Sequence, residues 1–108
     1  MGIGVDITKN SRFENIIKDY NKIQKILSID EIEIFNTFNS DKRKIEYIAS
    51  RFACKEALFK ATGNKISFNQ ISILNDENGK PYVKNKKDIE ISISHETEFS
   101  IAFVQVII

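Results

Sequence analysis

The sequence predicts an α+β fold in which an antiparallel sheet packs on one long central helix. Three observations support this prediction. A strand of alternating polarity opens the chain, helical periodicity fills the middle, and short strands separated by turns follow. No internal repeat, low-complexity tract or linker interrupts the sequence, so a single domain covering residues 1–108 is expected.

The composition is that of an ordinary globular protein, with 42% hydrophobic and 29% charged residues. Lys and Arg number 16 and Asp and Glu 15, and the resulting net charge of +1 gives no reason to expect nucleic-acid binding. The one cysteine cannot form an internal disulfide and fits a reducing compartment. There is no membrane-length apolar stretch and no signal-peptide pattern, so a cytoplasmic protein is predicted.

The first strand alternates strictly between apolar residues and small or polar ones. Its apolar face, which we expect to be buried, consists of Ile3, Val5 and Ile7. The other face carries Gly4 and Asp6, and it is bare apart from the carboxylate because glycine has no side chain. Aspartate is a poor strand former, so Asp6 either keeps an edge strand soluble or has a chemical role.

Two short helices are predicted next, each from a capping-box pattern. The first pattern is Ser11-x-x-Glu14, and the second is Ser28-x-x-Glu31. The expected apolar faces are Phe13, Ile16, Ile17 and Tyr20 for the first helix, and Ile32, Phe35 and Phe38 for the second. The segment between the two starts is rich in lysine, and a solvated surface is its simplest interpretation. Its lysines are Lys18, Lys22 and Lys25.

The third predicted helix, Asp41–Thr62, is the longest. Its expected N-cap is Ser40 or Asp41, and Gly63 is expected to end it. One side carries Tyr47 and Leu58, and apolar residues also occupy the opposite side. We therefore expect this helix to be covered by more than one layer of structure or by a second subunit.

Glu56 lies on an apolar stripe of that helix. On a helical wheel it falls near the middle of the face formed by Ile45, Ala49 and Phe52, and Lys60 shares the same face. A charge in such a place is costly unless it is paired, solvated or bound to a metal. Two interpretations stay open: an ordinary Glu56–Lys60 pair one helical turn apart, or a carboxylate that reaches into a polar site.

The second half of the chain predicts two antiparallel hairpins. One joins residues 71–74 to 81–83, and the other joins 89–94 to 99–108. The last strand is apolar on both of its faces, and a chain of this length has little to cover it with. A second subunit would supply that cover.

Four residues are candidates for a chemical site: Asp6, Glu56, Lys60 and His95. Two carboxylates suit Mg²⁺, which prefers one or two carboxylates together with substrate phosphates and waters. Lys60 would neutralise phosphate charge. His95, the only histidine, would bind phosphate or relay a proton, unless it is merely a polar turn residue. Cys54 lacks a convincing partner for nucleophilic catalysis, and no spacing suggests zinc, a Rossmann fingerprint or a Walker motif.

Four motifs follow one another along the whole chain. They are Gly2-Ile3-Gly4-Val5-Asp6-Ile7 with Arg12 after it, Arg51-Phe52-Ala53-x-Lys55-Glu56-Ala57-x-x-Lys60-Ala61, Gly79-Lys80-Pro81 and Ser92-Ile93-Ser94-His95. In this order and spacing they resemble the holo-[acyl-carrier-protein] synthases, the small single-domain group of the 4′-phosphopantetheinyl transferases. The fold expected from the resemblance is therefore that of this group.

The resemblance implies an enzyme that transfers 4′-phosphopantetheine from coenzyme A to a serine of apo acyl carrier protein in fatty acid biosynthesis. Adenosine 3′,5′-bisphosphate is released. The family uses Mg²⁺ held by the residues matching Asp6 and Glu56, and Lys60 would stabilise developing charge. Glu56, directly or through a water, is the first candidate for accepting the serine proton, with His95 as another. A non-catalytic module that binds coenzyme A or a carrier protein is the alternative.

The resemblance also implies binding residues for both substrates. Arg43 and His95 would contact the phosphates of the 3′-phosphoadenosine end, with Lys80 and Pro81 near the nucleotide and Lys60 near the pyrophosphate. Acyl carrier proteins are acidic, so basic docking residues are expected. They are Arg12 by its match to the family and Lys22 and Lys25 by location. Family members of this size are typically homotrimers with active sites at subunit interfaces.

Overall fold

Strands from both halves of the chain meet in one sheet that packs on a long helix. The computed structural model describes residues 1–107. Their elements are β1 (Gly2–Lys9), α1 (Tyr20–Ile26), α2 (Ile29–Phe35), α3 (Asp41–Thr62), β2 (Ile73–Asn75), β3 (Pro81–Val83), β4 (Ile89–His95) and β5 (Phe99–Val106). The predicted α+β class is confirmed. Among the described residues no helix is both long and apolar enough to span a membrane.

The main sheet has the order β1-β5-β4, and both pairs of strands are antiparallel. The central strand β5 places Val104 opposite Gly4 of β1 and Ile91 of β4. Strands β2 and β3 form a separate hairpin, and β2 starts two residues later than the sequence predicts. The final residue of the predicted last strand, Ile108, lies outside the described residues.

Helix α3 lies between two apolar clusters, which agrees with the prediction that it is covered on more than one side. One cluster joins it to the sheet and contains Ala53, Ala57, Leu58, Ala102 and Val104. The other joins it to the two short helices and contains Phe13, Ile23, Leu27, Phe35, Tyr47 and Ile48. Because both sides are packed, the helix is held at a fixed distance from each layer.

Strand β1 packs on α3 through its glycine face and not through its apolar face. Ile3, Val5 and Ile7, which were predicted to be buried, are 64%, 55% and 60% exposed. A Cβ atom on Gly4 would overlap the carbonyl oxygen of Ala57. Glycine thus lets the helix backbone lie directly against the strand, and the apolar side chains are left pointing outward.

We expect Gly4→Ala to destabilise the fold by about 2 kcal/mol, because the added methyl would meet backbone that cannot move aside. Urea unfolding would measure the change. Ile29→Ala, at an exposed position, is the control and should change stability by less than about 0.5 kcal/mol. If Gly4→Ala proved as stable as the unaltered protein, this close contact between strand and helix would be wrong.

Helices α2 and α3 begin where the sequence predicts. The hydroxyl of Ser28 accepts from the backbone N–H of Glu31, whose carboxylate accepts from the Ser28 N–H, completing the capping box. Ser40 caps α3 by accepting from the backbone N–H of Arg43. Gly63 ends α3 with φ of 72°, a left-handed conformation that glycine adopts readily.

The start predicted for the first helix, at Ser11, was wrong. Ser11 lies inside the first of two short 3₁₀ turns, Asn10–Phe13 and Ile16–Lys18, and neither turn has a side-chain cap among residues 1–107. Helix α1 begins only at Tyr20, where the Asp19 carboxylate accepts from two backbone N–H groups. The cause is tertiary: the side chain of Asn10 donates to the carbonyls of Glu96 and Thr97 in the β4–β5 turn, and these bonds hold the segment in a non-α-helical conformation.

Candidate active site

Asp6 and Lys60 meet where the glycine face of β1 lies on α3. Lys60 Nζ stands 3.3 Å from Asp6 Oδ1 and donates to the carbonyl oxygen of Val5 at 3.0 Å. The second oxygen of Asp6 accepts from the Thr8 hydroxyl at 2.8 Å. Lys60 therefore pairs with Asp6, and the Glu56–Lys60 pair considered from the sequence is not formed.

Glu56 is half-buried on α3, one helical turn before Lys60. None of the ion pairs within residues 1–107 includes it. Gly2 lies on Ala61 and Gly4 lies on Ala57. Two strand residues advance about as far as four helix residues, roughly 6–7 Å. Asp6, the next residue on the glycine face of the strand, therefore lies beside the helical turn that carries Glu56.

This donor set fits a hard cation. Within residues 1–107 no group of three or more His, Cys, Asp or Glu side chains converges on one point, so the protein alone offers no full ligand shell. Two carboxylates near one another do suit Mg²⁺, which takes its remaining oxygens from substrate and water. Asp6 has the ammonium of Lys60 as its counter-ion.

A buried ion pair next to Glu56 was missed by the sequence reasoning. Lys55 is fully buried and donates to Glu31, to the carbonyl of Ile26 and to the carbonyl of Phe68. Burial lowers the pKa of Lys55, and the neighbouring carboxylate of Glu31 opposes this shift. Glu31 also accepts from the backbone N–H of Ile73, so one network ties α3 to α2 and β2. The sequence feature that could have indicated a buried lysine was the position of Lys55 between the small residues Ala53 and Ala57 of the helix.

Three of the predicted nucleotide-binding residues line one cleft of about 480 Å³. Arg43, Pro81 and His95 enter it from the start of α3, from β3 and from the end of β4. The guanidinium of Arg43 lies over the Phe38 ring, 4.7 Å from its centroid. Lys80 is not among the lining residues. Its ammonium forms an exposed pair with the carboxylate of Glu90 at 3.1 Å.

Arg51 lines the same cleft and was not predicted as a site residue. Its Nε donates to the carbonyl of Ile73 at 3.2 Å, and its Nη2 donates to the side-chain oxygen of Asn75 at 2.6 Å. Its guanidinium lies 4.2 Å from the centroid of the Tyr47 ring. The arginine is therefore held rigidly and presents its charge from the wall of the cleft.

The two groups of site residues are separate within one chain. The lining of the cleft includes none of Asp6, Glu56 and Lys60. Along α3 the backbone rises about 20 Å from Arg43 to Glu56, at 1.5 Å per residue. The predicted constellation is thus divided between a carboxylate–lysine group, at the contact of β1 with α3, and an arginine–histidine cleft.

The residues proposed for carrier docking are all on the surface. Arg12 is exposed, with its guanidinium 5.2 Å from the centroid of the Phe52 ring. Lys22 and Lys25 are exposed on α1. Cys54, by contrast, is buried, and burial raises its pKa to about 12, which agrees with the rejection of a thiolate nucleophile.

An aspartate paired with a lysine beside the helical turn of Glu56, together with a cleft walled by two arginines and a histidine, defines an α+β protein equipped to bind a phosphorylated ligand. The 4′-phosphopantetheinyl transferase superfamily matches residues 2–104. The chain is 47% identical to the holo-[acyl-carrier-protein] synthase of Geobacillus sp. (strain WCH70), over 96% of this chain and 93% of that relative. The synthase of Petrotoga mobilis is 42% identical, over 98% and 95% of the two chains.

Solved structures give the same result. The holo-(acyl-carrier-protein) synthase of Bacillus anthracis, in complex with CoA (3′,5′-ADP), superposes with a TM-score of 0.85 at 35% identity, covering 95% of this chain and 92% of that one. The chain belongs to the holo-[acyl-carrier-protein] synthases of the 4′-phosphopantetheinyl transferase superfamily. This confirms the resemblance seen in its motifs.

Proposed function

We propose that this protein transfers the 4′-phosphopantetheine group of coenzyme A to a serine of apo acyl carrier protein, as a single domain of residues 1–108, in the cytoplasm. The observation that carries this proposal is the meeting of Asp6 and Lys60 beside the helical turn of Glu56, in a chain that matches the synthases over nearly its full length. The free, buried Cys54 accords with a reducing compartment.

In this reaction the serine oxygen bonds to the phosphorus that bears pantetheine, and the bond from that phosphorus to the oxygen of adenosine 3′,5′-bisphosphate breaks. Asp6 and Glu56 would hold Mg²⁺, which supplies Lewis-acid stabilisation of phosphate charge when bound. Glu56 is our first candidate to accept the serine proton, because none of the ion pairs within residues 1–107 engages it. The half-exposed ammonium of Lys60 offsets the charge on the leaving phosphate.

The nucleotide end of coenzyme A is proposed to occupy the cleft. Arg43 and His95 carry donors suited to phosphate, and Pro81 offers an apolar wall. Lys80 lies outside the lining, in an exposed pair with Glu90 that water and salt weaken, so its side chain is free to turn towards a bound phosphate.

We propose that the acidic carrier protein docks on the surface formed by Arg12, Lys22 and Lys25. All three are exposed, and two of them stand on one short helix. Rim charges of this kind act mainly on the rate of encounter and on the orientation of the partner.

A homotrimer with shared active sites accounts for two features. One is an apolar patch on the outer face of the sheet, where Val5 stands opposite Phe103 and Ile7 stands opposite Ile101, all of them exposed. Patches of this kind on a small protein mark interaction surfaces. The other is the separation of Glu56 from the cleft. The 3′-phosphate and the pyrophosphate of coenzyme A share one ribose, so one molecule bridges both groups most simply when they belong to adjacent subunits.

Incubation with apo acyl carrier protein, coenzyme A and Mg²⁺ tests the proposed activity. The carrier is expected to gain the mass of one phosphopantetheine group in mass spectrometry, and a carrier whose acceptor serine is replaced by alanine is expected to gain none. Nucleotide binding without any mass gain on a competent carrier would support the non-catalytic binding module instead.

Sedimentation should show a species of about three times the chain mass of 12.4 kDa. A stable monomer would contradict the proposed trimer. Shared sites predict more: Glu56→Gln and His95→Ala proteins, each impaired alone, should regain activity when they are unfolded and refolded together. Some interfaces of the mixed trimer then combine an intact Glu56 with an intact His95. No recovery in verified mixed trimers would place each site within one subunit.

A further inference from the structure

The hydroxyl of Tyr47 has no hydrogen-bond partner among the residues that the structure describes. The tyrosine is only 8% exposed, and its ring packs against Phe35 and Phe38, with ring centroids 6.4 Å and 5.3 Å away. Buried tyrosine hydroxyls nearly always have a partner, and one without a partner calls for an explanation. Packing does not require the oxygen, because phenylalanine has the same ring.

Tyr47 lines the cleft that also contains Arg43, Arg51 and His95. Arg51 stacks on its ring and is itself 6% exposed. An arginine has five N–H groups, and Arg51 directs one each to Ile73, Ser50 and Asn75. Each guanidinium nitrogen of Arg51 therefore has a partner within residues 1–107, and the longest of these contacts, from Nη1 to the Ser50 hydroxyl, is 3.4 Å. The arginine is thus fixed in the wall beside the unpaired hydroxyl of Tyr47.

The unpaired Tyr47 hydroxyl has a proton to donate, and it lies in a wall that also carries arginine side chains. Burial raises the pKa of Tyr47 to about 12, so the hydroxyl keeps its proton at physiological pH. The arginines are permanently cationic. A ligand that satisfies this wall must bring acceptor oxygens and negative charge, which a phosphate group does.

We propose that the Tyr47 hydroxyl is a further nucleotide-binding group, which donates a hydrogen bond to a phosphate oxygen of the nucleotide half of coenzyme A. This inference rests on the proposed function, since that function places the nucleotide in the cleft. It assigns to Tyr47 a role beside those of Arg43 and His95, and it explains why this wall carries a tyrosine where packing alone would be served by phenylalanine.

Tyr47→Phe tests the proposal, because it removes one oxygen and keeps the ring. Binding of adenosine 3′,5′-bisphosphate, measured by titration calorimetry, is expected to be about tenfold weaker in Tyr47→Phe than in the unaltered protein. Without nucleotide, the melting temperature of Tyr47→Phe should be unchanged or higher, because the substitution removes an unpaired buried hydroxyl. Tyr20→Phe, at an exposed tyrosine outside the cleft lining, is the control and should bind as the unaltered protein does.

An affinity of Tyr47→Phe within twofold of the unaltered protein would overturn the inference. A lower melting temperature without nucleotide would also overturn it, because the hydroxyl would then have a partner inside the fold. If adenosine 3′,5′-bisphosphate failed to bind the unaltered protein, the proposed function itself would be contradicted, so the two failures are distinct.

Discussion

Replacing Glu56 with glutamine is expected to slow phosphopantetheine transfer by about a thousandfold while the protein stays folded. The change removes a proton acceptor, a loss that typically costs 10²- to 10⁴-fold, and it also removes one of two carboxylates proposed to hold Mg²⁺. The fold should tolerate it because the side chain is half-exposed and none of the ion pairs within residues 1–107 involves it. Mass spectrometry of the carrier over time would give the rate.

Glu33→Gln provides a matched control, since Glu33 is an exposed glutamate on α2. It should transfer at the normal rate. The melting temperatures of both variants should stay close to that of the unaltered protein. A Glu56→Gln protein that kept more than about a tenth of the normal rate would remove Glu56 from the roles proposed for it.

Replacing Lys55 with methionine is expected to destabilise the protein by about 3–5 kcal/mol, which is a large share of the total stability of a small domain. The substitution leaves the Glu31 carboxylate fully buried without its counter-ion. Two backbone carbonyls, those of Ile26 and Phe68, also lose their donor. Urea unfolding monitored by circular dichroism would measure the loss.

The exposed pair of Lys80 and Glu90 offers the comparison. Lys80→Met should leave the unfolding midpoint nearly unchanged, because water and salt screen that pair. Combining Lys55→Met with Glu31→Gln should lower the free energy of unfolding by less than the sum of the two single changes. Each single variant leaves one buried group without its partner, and the double variant removes both groups. Additive losses would show that the two side chains do not interact as described.

Local sequence signals predicted the elements whose ends are set by local chemistry. The capping box at Ser28, the cap at Ser40 and the left-handed Gly63 each act within a few residues, so the start of α2 and both ends of α3 were predicted correctly. The end of α2 was not, because Phe38, expected on this helix, lies beyond its last residue, Phe35. The start of α1 could not be predicted from local signals, because Asn10 is hydrogen-bonded to a turn more than eighty residues away in the sequence. A capping pattern has no means of registering such a contact.

Alternation in β1 predicted two faces but not which face the helix covers. Hydrophobicity favoured the side of Val5, whereas the close approach of the α3 backbone favoured the side of Gly4. The candidate site shows the same limit. The motifs singled out Asp6, Glu56 and Lys60, but only the packing of strand on helix reveals that the lysine pairs with Asp6. Lys55 and Glu31 come together across the fold, and their spacing in the sequence carries no sign of it.

The pairing of β1 has a consequence for synthesis on the ribosome. Among residues 1–107 its only neighbour in the sheet order is β5, and Gly2 stands opposite Val106. The first strand therefore pairs only after residues about a hundred positions later have been translated. Such distant contacts form slowly because a long loop must close first. We therefore expect the nascent chain to hold its helices before it holds Asp6 in place. A partly made polypeptide would then be unable to consume coenzyme A while still attached to the ribosome.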